Sequence, residues 1–73
     1  MGILSNISGK EAVKVFCKAG WILRGQVGSH VVLTMIGEKA NLSVPQHKEL
    51  STGTLRGLIR SANMTVEDFL KML

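Results

Sequence analysis

Cysteine, proline, aromatic residues and acid are all in short supply in this chain. Its 73 residues include one cysteine, one proline, one tryptophan, two phenylalanines and no tyrosine. The lone Cys17 excludes a disulfide framework within the chain. With two histidines and no C-x-x-C or H-x-x-x-H spacing, it also offers no familiar four-ligand zinc pattern. The five acidic residues, Glu11, Glu38, Glu49, Glu67 and Asp68, form no close pair on a common strand or loop. That argues against a two-metal nuclease or a glycosidase-type carboxylate dyad. A phosphate-cradling glycine loop, a G-x-S-x-G elbow and an H-E-x-x-H helix are missing as well, so neither a cofactor nor a metal is expected.

No apolar run reaches the length of about 18 residues that a membrane helix needs. The opening Met1-Gly2-Ile3-Leu4-Ser5-Asn6 lacks the charged and long apolar stretches of a secretion leader, and Gly2 is only a weak acylation signal. A cytoplasmic protein with a reduced thiol and no membrane partner is the expectation.

What the chain does have is base and apolar bulk. Nine Lys and Arg face five Asp and Glu, for a net charge of +4, and 45% of residues are hydrophobic. This composition fits a folded domain rather than a disordered chain. A polyanion, nucleic acid before membrane, is the natural partner, although many small proteins are basic without such a role. The length fits one small domain over residues 1–73, whose stability has to come from packing.

Ser8-Gly9-Lys10-Glu11 has the S-x-x-E form of a capping box. The helix behind it carries Val13, Phe16, Cys17 and Gly20 at helical spacing, with Lys10, Lys14 and Lys18 on another side. On that reading Cys17 is a buried structural thiol, and Gly20 ends the helix in a left-handed cap. Residues 21–26 read as a strand, Val27-Gly28-Ser29 as a turn, and residues 30–36 as a second strand rich in β-branched side chains. Gly37-Glu38-Lys39 turns the chain into a third strand over residues 40–44, which Pro45 stops. In the middle strand Val31, Leu33 and Met35 form the core-facing set, which leaves His30 on the open face. In the third strand Ala40, Leu42 and Val44 face in, and Asn41 and Ser43 face water. Ser51 and Thr52 compete to cap a helix with a Leu55, Leu58, Ile59 and Ala62 stripe, and Asn63 is a left-handed terminator. Thr65 opens a last helix bearing Val66, Phe69, Leu70 and Leu73. The order α-β-β-β-α-α predicts an α+β fold: a three-stranded antiparallel sheet with helices on one face.

His30 is the first chemical candidate. Metal-free RNA cleavage must move a proton off a ribose 2′-hydroxyl, and imidazole titrates near neutrality. Gly28 leaves room for a nucleic-acid backbone, and Ser29 can donate to a phosphate or hold the ring. On these residues alone, a polar side chain that merely opens a strand is the simpler reading. His47 and Lys48 lie in a loop leading to a helix N-terminus, where backbone donors and dipole favour phosphate. His47 is then a phosphate contact, a second proton carrier or simply an exposed loop residue. Arg24, Lys39, Arg56 and Arg60 are candidate phosphate-neutralising groups.

Several blocks carry a resemblance. Ile7-Ser8-Gly9-Lys10-Glu11-Ala12, Lys18-Ala19-Gly20-Trp21, Gly28-Ser29-His30-Val31-Val32-Leu33, the stretch from Leu42-Ser43-Val44-Pro45-Gln46-His47 through Lys48-Glu49-Leu50, Gly53-Thr54-Leu55-Arg56-Gly57-Leu58-Ile59-Arg60 and Thr65-Val66-Glu67-Asp68-Phe69-Leu70 resemble, in this order, the HicA family of bacterial and archaeal toxins. The resemblance implies a double-stranded-RNA-binding-domain-like α-β-β-β-α core with a short extra helix. It implies an mRNA interferase whose catalytic histidine maps onto His30, and a HicB antitoxin as protein partner. It also places the helix start at Gly53-Thr54 and the arginines behind it where such domains meet phosphates. Asn63 stands where such sequences more often carry glycine. Gly25 lies where a basic residue is common, so Arg24 takes that work from a shifted position. The alternative is a non-catalytic RNA-binding module of the same fold.

Overall fold

A computed structural model describes residues 4–73. The expectations placed on Met1 to Ile3, no leader and a weak Gly2 signal, lie outside the described residues.

Helix α1 spans Gly9–Lys18. Both halves of its capping box form: the Glu11 N–H donates to Ser8 Oγ at 3.1 Å, and the Ser8 N–H donates to the Glu11 carboxylate at 2.9 Å. Gly20 follows at φ 110°, a conformation that costs glycine little. The buried residues are Gly9, Ala12, Val15 and Phe16, a stripe rotated from the expected one. Apolar weight pointed to Val13 and Cys17. Close approach decided otherwise, because Gly9 and Ala12 are small enough to let the helix sit down on its neighbours. Cys17 is consequently exposed, which corrects its reading as a buried thiol.

The sheet is antiparallel in the order β1-β2-β3, with β1 at Ile22–Val27, β2 at His30–Thr34 and β3 at Leu42–Pro45. The expected ends shift slightly, since residues 35–41 are all used in the connection and Pro45 is the last residue of β3. Proline is tolerated there because β3 is an edge strand. β1 pairs Leu23 with Leu33 but Gly25 with Val32, so Arg24 is the extra residue of a β-bulge. The bulge resets the alternation of β1. Ile22 shares a face with Thr34, while Gly25 and Val27, two odd-numbered residues, share that same face with Val32 and His30.

Helix α2, Thr52–Ser61, is capped by Ser51, and α3, Val66–Met72, by Thr65. Asn63 takes the left-handed conformation at φ 59°. The helices cover one face of the sheet, and the core between them holds Val15, Phe16, Leu33, Leu42, Val44, Leu55, Ile59 and Phe69. Phe16 and Phe69 join α1 to α3 with ring centroids 5.5 Å apart. Each such side chain contributes about 1.5–3 kcal/mol by leaving water. Leu73, expected on the apolar stripe of α3, is exposed at the helix end. Among the described residues no helix is long and apolar enough to cross a membrane.

Candidate nucleic-acid interface

The β1–β2 connection is a two-residue hairpin loop, because Val27 pairs directly with His30. Gly28 holds φ 61° at its first position, which hairpin turns of this length demand. A Cβ at Gly28 would meet no atom within 4 Å, so backbone conformation rather than crowding requires glycine there. The turn is tied on both sides. The Gln26 side chain donates to the Gly28 carbonyl at 2.9 Å, and the Gln46 N–H donates to the Ser29 carbonyl at 2.7 Å.

His30 opens β2 and is exposed on the face of the sheet that the helices leave uncovered. Its Nδ1 lies 3.0 Å from Ser43 Oγ. Sequence reasoning offered Ser29 as the residue to hold the ring, and missed Ser43. The available signal was the wet-face position of Ser43 on β3, but it becomes useful only with the strand register. His30 pairs with Pro45 and Val32 with Ser43, which makes Ser43 the diagonal neighbour of His30.

His47 and Lys48 are brought beside the start of α1. The Gly9 N–H donates to the His47 carbonyl at 3.0 Å, and the Leu50 N–H donates to the Ile7 carbonyl at 2.8 Å. A Cβ on Gly9 would overlap the Pro45 carbonyl oxygen and lie 2.9 Å from Gln46 Cα, so only glycine permits this contact. Ser8, Lys10, Gln46, His47 and Lys48 line a cleft of about 250 Å³. The two residues after β3 thus touch both the turn preceding His30, through Gln46, and the start of α1, through His47. Helix α2 begins nearby, with the Thr52 hydroxyl donating to the Leu4 carbonyl at 3.1 Å. The positive end of α1 therefore lies at the pole of the molecule that carries His30, and that of α2 lies against the segment leading into α1.

The backbone donors at these ends are partly spent. The Thr54 N–H donates to Ser51 Oγ at 3.2 Å, and Thr54 Oγ1 accepts from the Ser51 hydroxyl at 2.8 Å. The N–H groups of Gly9 and Glu11 are likewise engaged. An anion here would meet side chains and the dipole field rather than those amides. The two carboxylates of this pole are also occupied, Glu11 on Ser8 and Glu49 on the Asn6 N–H at 3.3 Å.

The remaining basic candidates are not gathered around His30. Arg24 sits at the bulge of β1. Lys39 lies in the 35–41 connection, beyond the opposite end of β2. Arg56 and Arg60, one turn apart on α2, rim a separate cleft of about 300 Å³ floored by Ile59, Met64 and Val66. Among the described residues no three His, Cys, Asp or Glu side chains come together as a metal site.

Fold and site define a small basic α+β protein that presents one oriented imidazole on an open sheet face. Residues 9–64 match the family model of the HicA toxin of bacterial toxin-antitoxin systems, over more than half of the chain. The chain belongs to the HicA toxin family. It is thus the toxin component of such a system, and an antitoxin is its implied partner. A comparison with curated proteins found no match.

Proposed function

We propose that this toxin is an endoribonuclease, an mRNA interferase, that cleaves without a metal ion and uses His30 as its general base. The observation that carries this reading is the exposed imidazole of His30, with Nδ1 on Ser43 Oγ at 3.0 Å. Nε2 takes the proton of a ribose 2′-hydroxyl, whose oxygen attacks the adjacent phosphorus. The bond to the 5′-oxygen breaks, and that oxygen leaves with a proton from water or from a second group, for which His47 is the candidate. The products are a 2′,3′-cyclic phosphate and a 5′-hydroxyl end. A positioned base of this kind contributes about 10²–10⁴-fold.

Lys10, His47 and Lys48 support the reading by supplying a basic flank beside the turn, where phosphates on either side of the cut would be neutralised. Gly28 and Ser29 bring the RNA backbone close to the ring, and Arg24 extends the contact along β1. Thr54, Arg56, Arg60 and Lys39 then serve binding away from the reacting phosphate. The protein partner is a HicB antitoxin, and the toxin acts in the cytoplasm, where its mRNA substrate is.

The test is incubation of the purified chain with one mRNA, with and without a chelator, followed by end mapping. New ends that form regardless of the chelator are expected. Salt-dependent binding without new ends would instead make the chain an RNA-binding module of the same fold, and abolition by the chelator would refute the metal-free mechanism.

A further inference from the structure

We propose that Ser43 is the positioning residue of His30. Its hydroxyl oxygen accepts a hydrogen bond from Nδ1–H and so holds the neutral ring in the tautomer that leaves a lone pair on Nε2.

The surroundings of the ring point to this role. Its direct cross-strand neighbours are Val27 on β1 and Pro45 on β3, neither of which has a side-chain hydrogen-bonding group. Next on the same face is Val32, paired with Ser43. Ser29 is in the turn, and His30 Nδ1 lies on Ser43 Oγ rather than on the Ser29 hydroxyl. Ser43 is therefore the polar side chain that the register sets within reach, and the 3.0 Å separation shows it in use.

The tautomer matters because an imidazole has one acceptor nitrogen when neutral. Free histidine in water prefers the proton on Nε2, which would present a donor to the 2′-hydroxyl instead of an acceptor. An acceptor held against Nδ1 reverses that preference, as the second-shell partners of catalytic and metal-bound histidines do. The same bond survives when Nε2 gains its proton, because Nδ1 remains a donor in the imidazolium. A hydroxyl has one advantage over the carboxylate found in many triads. It orients the ring without adding negative charge to a face that must admit a polyanion.

The rate consequence rests on the nuclease reading, whereas the tautomer consequence does not. The experiment therefore measures both on the full chain. Long-range ¹H–¹⁵N spectra at alkaline pH report which imidazole nitrogen carries the proton, and a His30→Ala spectrum assigns the signals, since the chain has two histidines. The Nδ1–H form is expected for His30 in the wild type. Ser43→Ala should move it toward the Nε2–H form and lower kcat about three- to tenfold, the size of one neutral hydrogen bond, with KM for RNA unchanged. Ser43→Thr, which keeps the hydroxyl on a β-branched side chain, should retain both the tautomer and the rate. Ser43→Ala should cost nothing further in a His30→Ala background.

An Nε2–H ring in the wild type, or the same tautomer with and without the hydroxyl, would overturn the assignment. A tautomer shift without a rate change, in a protein that does cut RNA, would overturn the positioning role. If the wild type cuts no RNA, the nuclease reading falls, and the spectra still decide what Ser43 does to the ring.

Discussion

The two faces of β2 differ by one residue in sequence and by everything in environment. Val31 and Leu33, 7% and 0% exposed, enter the core beneath the helices. His30 stands between them and the turn, exposed on the open face. On β3 the same division puts Leu42 and Val44 inside and Ser43 outside, against His30. A strand buries every second side chain at little cost to the others, so the inner face can carry stability while the outer one carries chemistry. The two functions should therefore be separable by mutation at adjacent positions.

The largest effect expected is on the outer face. His30→Ala should lower RNA cleavage by about 10²–10⁴-fold while leaving stability within about 0.5 kcal/mol, as surface substitutions do. Cleavage kinetics and a urea titration on the same preparation check the pair, and a large loss of stability would erase the distinction between the faces. Next comes Leu33→Ala, where deleting a fully buried side chain should cost about 2–5 kcal/mol. In a domain of this size that unfolds a measurable fraction, and activity per folded molecule should stay near the wild-type value.

Gly9→Ala tests where the two regions meet. The added methyl has no room against Pro45 and Gln46, so about 1–3 kcal/mol should be lost to overpacking. Because Gln46 N–H holds the Ser29 carbonyl, its amide should exchange faster with solvent in the variant. Unchanged exchange there would mean that α1 does not support the turn. The smallest effect concerns Lys48→Ala. It should weaken RNA binding similarly for all sequences and reduce the slope of log K against log salt by about 1.

Much of this was legible in the sequence because it is local. The capping box at Ser8 and Glu11, the left-handed Gly20 and Asn63 and the inward set Val31 and Leu33 each depend on residues within a turn or two of one another. The failures are of another kind. The apolar pattern misplaces the face of α1, because Gly9 and Ala12 are buried for their smallness, which such a pattern undervalues, and Cys17 lies on the surface as a result. The β1 bulge at Arg24 left no local mark, so the exposure of Val27 beside His30 could not be read from alternation. The role of Ser43 is not legible locally, because its meeting with His30 is set by register between strands, 13 positions apart in the chain. Charge told of basic residues but not that Lys39 and the Arg56–Arg60 pair lie apart from the imidazole.

Whether His30 draws a proton from a 2′-hydroxyl is decided by a substrate that lacks that hydroxyl. An RNA with a single 2′-deoxy nucleotide at a mapped cut site should resist wild-type protein at that site at least as fully as unmodified RNA resists His30→Ala, with other sites cut normally. Cleavage at the deoxy position at the unmodified rate would contradict it.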